Sequence, residues 1–203
     1  MSCILLSGFE PFSTFAVNPT MQLAEELDGE VLNDGTIIRG CVLPVVRQRS
    51  SQMLLELVAR YKPIAVMAFG QAARASISIE RVAINIDDFS IEDNAGNRVV
   101  DKVIVPGAPP AYWSTLPIKR LQNRLQEKGI PASISNTAGT FVCNHLFFHL
   151  QHALADQNIP SGFIHIPLLP EQALSGRTPS LPKAVLLRAV KQMANEVVSW
   201  RKE

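Results

Sequence analysis

The chain has 203 residues, 47% hydrophobic and 18% charged, and its 19 Lys+Arg against 18 Asp+Glu leave a net charge of +1. So large an apolar fraction excludes general disorder, and balanced charge without like-charge runs excludes a protein held to nucleic acid or a membrane surface by cations. No apolar run approaches the roughly 18 residues of a membrane span, and the start of the chain lacks the basic residues and long apolar run of a signal peptide.

Residues 3–8 form a short apolar run stopped by glycine, the pattern of a strand covered on both faces in a parallel sheet. Asn18-Pro19 reads as an N-cap with proline at the first helical position, opening a helix that ends near Asp28-Gly29. After the turn signal Asn33-Asp34-Gly35, residues 36–43 read as a second strand stopped by Pro44. Residues 50–61 carry Met53, Leu54, Leu57 and Val58 at helical spacing, and residues 63–70 are a third buried strand. This alternation predicts a layered α/β fold. The middle differs: residues 76–86 alternate partly, residues 87–98 are polar, and the proline-rich segment 106–117 cannot be a long helix. Residues 118–128 resume as a helix, 132–135 as a strand, 144–156 as a helix, 162–166 as a strand and 181–201 as a long last helix. No repeat or linker divides the chain, which predicts one domain over residues 1–203.

Three cysteines, Cys3, Cys41 and Cys143, are odd in number and lack any CxxC or metal spacing. Free thiols in a reducing, cytoplasmic compartment are the simplest reading. Cys3 and Cys41 fall inside predicted strands. Cys143 stands where a loop meets the start of a helix, where the dipole and free N–H groups favour a thiolate and can hold an oxyanion. Position alone equally permits an inert buried cysteine. His165, near the end of a short strand stopped by Pro167, is the candidate partner, because α/β folds place their sites at the C-terminal ends of parallel strands. Glu80 in Ser78-Ile79-Glu80-Arg81 is a charge inside an apolar segment. It either orients an imidazole or is exposed at a sheet edge with Arg81. His145, His149 and His152 share one helical face; with no carboxylate or cysteine at ligand spacing, that face reads as mostly solvated and no metal is expected. Phe9 and Phe12 follow the first strand and put two rings beside any pocket there.

Together these segments resemble the pyroglutamyl peptidase I family of cysteine peptidases. The resemblance runs nearly the whole chain and rests on Gly8-Phe9-Glu10-Pro11-Phe12, Gly70-Gln71-Ala72 and Ile79-Glu80-Arg81-Val82-Ala83-Ile84-Asn85. It continues through Ala111-Tyr112-Trp113-Ser114-Thr115-Leu116-Pro117 to Asn136-Thr137-Ala138-Gly139-Thr140-Phe141-Val142-Cys143-Asn144-His145 and Gly162-Phe163-Ile164-His165-Ile166-Pro167. It implies an α/β/α sandwich with a mostly parallel, twisted central sheet, and removal of N-terminal pyroglutamate from peptides without metal or other cofactor. Carried onto matching positions, it makes Cys143 the nucleophile, His165 the base and then acid, and Glu80 the orienting carboxylate. Phe9 and Phe12 then resemble the rings that sandwich the lactam, with Gln71, Phe141 and Val142 at the same pocket. The family tends to oligomerise, so a homo-oligomer, a tetramer among its forms, is implied. The alternatives are a non-catalytic relative that binds pyroglutamyl peptides and a thiol amidase for another blocked amide. Three departures stand out: Ser90 where the family usually has arginine, Ser13-Thr14 where it has Gly-Gly, and a loop over residues 72–78 about one residue short.

Overall fold

The computed structural model describes residues 2–173 and 178–203. In chain order the elements are β1 (Cys3–Phe9), α1 (Pro19–Leu27), β2 (Ile37–Leu43), α2 (Arg47–Tyr61), β3 (Ala65–Gln71), β4 (Ile77–Glu80) and β5 (Val82–Ile84). Then come β6 (Ala111–Trp113), α3 (Ile118–Glu127), β7 (Ala132–Ser135), α4 (Val142–Leu154), β8 (Ser161–Ile166), a 3-10 turn (Pro170–Gln172) and α5 (Lys183–Arg201). Six strands form one sheet in the order β2-β1-β3-β8-β4-β7, and β5 pairs with β6 in a separate two-stranded ribbon. Every pair in the large sheet is parallel except β4 with β8, which is antiparallel. The mostly parallel α/β/α sandwich expected from the sequence is what is found.

Alternating residues of each strand feed two cores. On one face Ile4, Leu6, Met67, Phe69, Ile164 and Ile166 pack with Leu23 of α1, Leu121 of α3 and Val190 of α5. On the other, Leu5, Phe9, Val66, Ala68 and Phe163 pack with Leu54 of α2 and Leu146 of α4. Burial on both faces is why strands such as β1 and β3 read as unbroken apolar runs rather than as alternation.

The cap predicted at Asn18 does more than start a helix. Its Oδ1 accepts from the Thr20 N–H at 3.0 Å and from the Thr20 hydroxyl at 2.8 Å, and that hydroxyl oxygen accepts from the Phe9 N–H at 2.8 Å. The start of α1 is thereby tied to the end of β1. The approach needs Gly8, because a Cβ there would lie 2.0 Å from the Thr20 carbonyl oxygen.

Two helix boundaries differ from expectation for tertiary reasons. α2 begins at Arg47 rather than residue 50, because Asp93, 46 positions away in the chain, accepts from the Arg47 N–H at 2.8 Å. α4 begins at Val142 rather than residue 144, with the buried Asn144 amide clamped on β5: its Oδ1 accepts from Ile84 N–H, and its Nδ2 donates to the carbonyls of Ile84 and Ile86. β6 inside the proline-rich segment was not expected. It exists because Ala111, Tyr112 and Trp113 find β5 as a partner.

Candidate active site

His165 lies on β8 and Gly70 is its register partner on β3, while Ser78 on β4 faces it from the other side. Strand parity turns Gly70, His165, Ser78 and Glu80 toward the face that α4 covers. Glu80 is wholly buried, and its Oε1 accepts from His165 Nδ1 at 2.7 Å. An ionised carboxylate only accepts, so the Nδ1 proton is fixed there and Nε2 is left as the basic nitrogen. Arg74 holds the same Oε1 from its other side at 2.8 Å and donates to the Thr137 carbonyl at 3.2 Å. Of the two readings open for Glu80, the sheet-edge one fails. β4 is interior to the sheet, and Arg81 turns away to Asn136.

Cys143 is the second residue of α4, so its first-turn N–H groups precede the first helical bond, from His145 N–H to the Phe141 carbonyl. The thiol lies directly over Gly70: a Cβ at that position would be 3.0 Å from Sγ. Sulfur and imidazole are therefore neighbours on one sheet face. Burial, with the Glu80 charge adding to it and Arg74 opposing, pushes the thiol up to about 12. The helix start does not outweigh these effects, contrary to the expectation of a favoured thiolate. The resting sulfur keeps its proton, and a base must remove it.

Beside the thiol is a narrow cleft lined by Phe9, Phe12, Asn18, Val45, Gln71, Phe141, Val142 and Cys143. Phe9, Phe12, Gln71, Phe141 and Val142 are all in this lining, and among the described residues no charged side chain is. Phe12 stands against Phe141 with ring centroids 6.2 Å apart and planes inclined by 35°, and Phe89 backs Phe141 edge-on at 4.7 Å. Phe9 is 3% exposed and packs on Phe163. Gln71, the last residue of β3, is 7% exposed, and its Nε2 has no partner among the described residues. A buried donor beside an apolar cleft is costly unless a ligand satisfies it. Asn18 and Val45 also belong to the cleft. Asn18 read as a helix cap, and nothing at residue 45 signals that the chain leaving β2 turns back to Phe9.

The histidine face is only partly solvated: His152 is exposed and His149 half-buried, but His145 is not. His145 is 1% exposed, and its Nδ1 lies 2.8 Å from Asp87 Oδ2, which also accepts from Arg47 Nε at 2.6 Å. Asp87 comes from the loop after β5, so spacing along α4 could not reveal it. His149 packs on His145, where burial first and the His145 charge second lower it to about 4. His152 instead meets the Tyr112 hydroxyl at 2.8 Å. His145 and His149 thus stay together, while His152 goes to Tyr112.

The fold and this constellation recur in known proteins. A family model described as pyroglutamyl peptidase matches residues 2–200. The chain belongs to the pyroglutamyl peptidase family. Among similar proteins, the pyrrolidone-carboxylate peptidase of Vibrio parahaemolyticus is 48% identical over 98% of this chain and 93% of its own length. That of Bacillus cereus strain ATCC 10987 is 50% identical over 85% of this chain and 81% of its own. Among solved structures, pyroglutamyl peptidase I from Bacillus amyloliquefaciens superposes with a TM-score of 0.93 at 40% identity, covering 97% of this chain and 94% of that one. A mutant pyrrolidone carboxyl peptidase from Pyrococcus furiosus gives 0.94 at 39%, covering 98% and 99%. Ser90, where the resemblance implies arginine, is exposed, and Asp88, two residues before it, is pinned to Thr140 next to Phe141 of the cleft. The Asp88 N–H donates to the Thr140 carbonyl at 3.0 Å, and the Thr140 hydroxyl donates back to the Asp88 carbonyl at 2.7 Å.

Proposed function

We propose that this pyroglutamyl peptidase family member removes N-terminal pyroglutamate from peptides, with Cys143 as nucleophile, His165 as base and then acid, and Glu80 as the carboxylate that orients His165. One observation carries the reading. A wholly buried Glu80 holds His165 Nδ1 at 2.7 Å on the sheet face where the Cys143 thiol borders an uncharged aromatic cleft.

His165 Nε2 takes the thiol proton as sulfur attacks the pyroglutamyl carbonyl, and first-turn N–H groups of α4 stabilise the oxyanion. The imidazolium then gives that proton to the departing amine, leaving a thioester on Cys143. Water, deprotonated by His165, attacks the thioester and releases free pyroglutamate. The lactam is flat and uncharged, which suits a cleft whose walls are Phe12 and Phe141 and whose unpaired donor is Gln71 Nε2. Prolyl amides lack the ring carbonyl and would leave that donor buried and unpaired, so they are rejected.

Steady-state cleavage of a fluorogenic pyroglutamyl amide, compared with prolyl and glutamyl amides, tests the reading. Cleavage of the pyroglutamyl amide alone, lost in Cys143→Ser with the fold retained, is the expected result. Tight binding without turnover would favour a non-catalytic binder, and preference for another blocked amide would favour a different thiol amidase. Self-association and a cytoplasmic location remain parts of the proposal, read by sedimentation and by cell fractionation. Among the described residues no helix is long and apolar enough to cross a membrane.

A further inference from the structure

Gln71 can serve a lactam carbonyl only if its amide presents nitrogen, rather than oxygen, to the cleft. Nothing in its own chemistry ensures this, because the two ends of a primary amide have the same shape and opposite polarity. The answer lies in Gln172, half-buried at the end of the 3-10 turn that follows β8. Two backbone groups hold its side chain. The Leu169 N–H donates to Gln172 Oε1 at 2.9 Å, and Gln172 Nε2 donates to the Val17 carbonyl at 3.0 Å. A backbone N–H can only donate and a carbonyl can only accept, so the orientation of Gln172 is forced. Its second Nε2 hydrogen then points at Gln71 and is accepted by Gln71 Oε1 at 3.0 Å. With Oε1 so engaged, Gln71 Nε2 is the end left facing the cleft, buried and unpartnered among the described residues.

We propose that Gln172 is a positioning residue that sets the polarity of the ring pocket. Backbone groups at Val17 and Leu169 fix Gln172, Gln172 fixes Gln71, and Gln71 thereby selects a ring carrying a carbonyl. This rests on the peptidase reading above and names the source of its substrate selectivity. Gln172→Glu keeps the side chain's shape and its acceptor for Leu169 N–H but replaces the donor with an oxygen. Gln71 then turns its nitrogen to the carboxylate and presents Oε1 to the cleft, against the ring carbonyl. Gln172→Met keeps the length and removes the constraint without imposing the inverse one.

The test measures KM and kcat for a fluorogenic pyroglutamyl amide in the wild type, Q172M and Q172E. It also measures protection of Cys143 from iodoacetamide by 2-pyrrolidone, which reads ring binding without turnover. Loss of one hydrogen bond that is equal in ground and transition states raises KM and spares kcat. The expected result is a KM about tenfold higher in Q172M and about a hundredfold higher in Q172E, with the half-protecting 2-pyrrolidone concentration rising in step. kcat and the alkylation rate without 2-pyrrolidone stay within about threefold of wild type, which a mere packing defect would not give. Wild-type KM and protection in both variants would overturn the proposal, and so would a loss confined to kcat and to the unprotected alkylation rate. Should Q172E not fold, Q172M decides by the same measures. A wild type that neither cleaves the amide nor is protected refutes the peptidase reading itself and this inference with it.

Discussion

At the scale of single residues, chemistry here depends on what each side chain is denied. Cys143 is denied part of its water, so its thiol is held up to about 12 and sulfur becomes a nucleophile only as an imidazole takes the proton. Its alkylation by iodoacetamide should therefore depend on His165. In the native protein Cys143 labels faster than Cys3 or Cys41, and His165→Ala slows it at least tenfold; equal labelling of all three thiols would contradict this. Gly70 is denied a side chain. A Cβ there would meet Sγ at 3.0 Å and the Phe163 ring at 2.9 Å, so Gly70→Ala must displace the nucleophile or the ring beneath it. Overpacking of this kind costs about 1–3 kcal/mol, and displacement of sulfur by a few tenths of an ångström should lower kcat by tenfold or more. Ser90 lies on the stretch pinned to Thr140, where an arginine would add a permanent charge near the cleft wall. Arg74 already supplies a cation on Glu80, so the site is charged without it. An added cation would nonetheless favour the thiolate, so Ser90→Arg should raise kcat/KM for a pyroglutamyl amide and move the acid limb of the pH–rate profile downward. An unmoved limb with no gain in rate would make the substitution purely structural.

At the scale of elements, α4 is held in place by a side chain beside its nucleophile. Asn144 satisfies one N–H and two carbonyls along the chain from Ile84 to Ile86, and so aims the first turn of the helix at the end of β3. Asn144→Asp places a carboxylate against two carbonyl oxygens it cannot serve. A loss of about 2–4 kcal/mol is expected from urea unfolding, with activity falling more than stability alone explains. The helix start was misjudged by two residues from sequence because this clamp comes from β5. α2 has the same history with Asp93. Burial would raise that carboxyl, but bonds donated by Arg47 N–H, Asn97 and the Ala95 N–H outweigh it and hold it below the ordinary carboxylate value. The cap's contribution is therefore present above that ordinary value and is lost as pH falls through the lowered one.

At the scale of the whole molecule, two half-buried thiols tie stability to alkaline pH. Burial, chiefly, holds both Cys41 and Cys143 up to about 12 from an ordinary value of 9.0. A raised value in the folded state means stability that is complete below about 9 and declines as pH climbs toward 12, where the unfolded chain ionises and the folded one does not. The urea midpoint should fall across that interval, and Cys41→Ala should fall less steeply than wild type.

Periodicity, caps and stops were enough to determine the layered fold, because apolar runs such as β1 and β3 and the Asn18-Pro19 helix start are local signals. Position made Cys143, His165 and Glu80 candidates and left each open; only the resemblance to the pyroglutamyl peptidase I family implied their roles. What only the tertiary structure decided depends on groups far apart in the chain. Asp87 removes His145 from solvent, Arg74 and not the residue at 90 supports Glu80, and Gln172 sets the polarity of Gln71 across 101 positions. The physical reason is common to all three. A hydrogen bond has direction and a charge has reach, and neither leaves a period in the sequence when its partner arrives from another strand or loop.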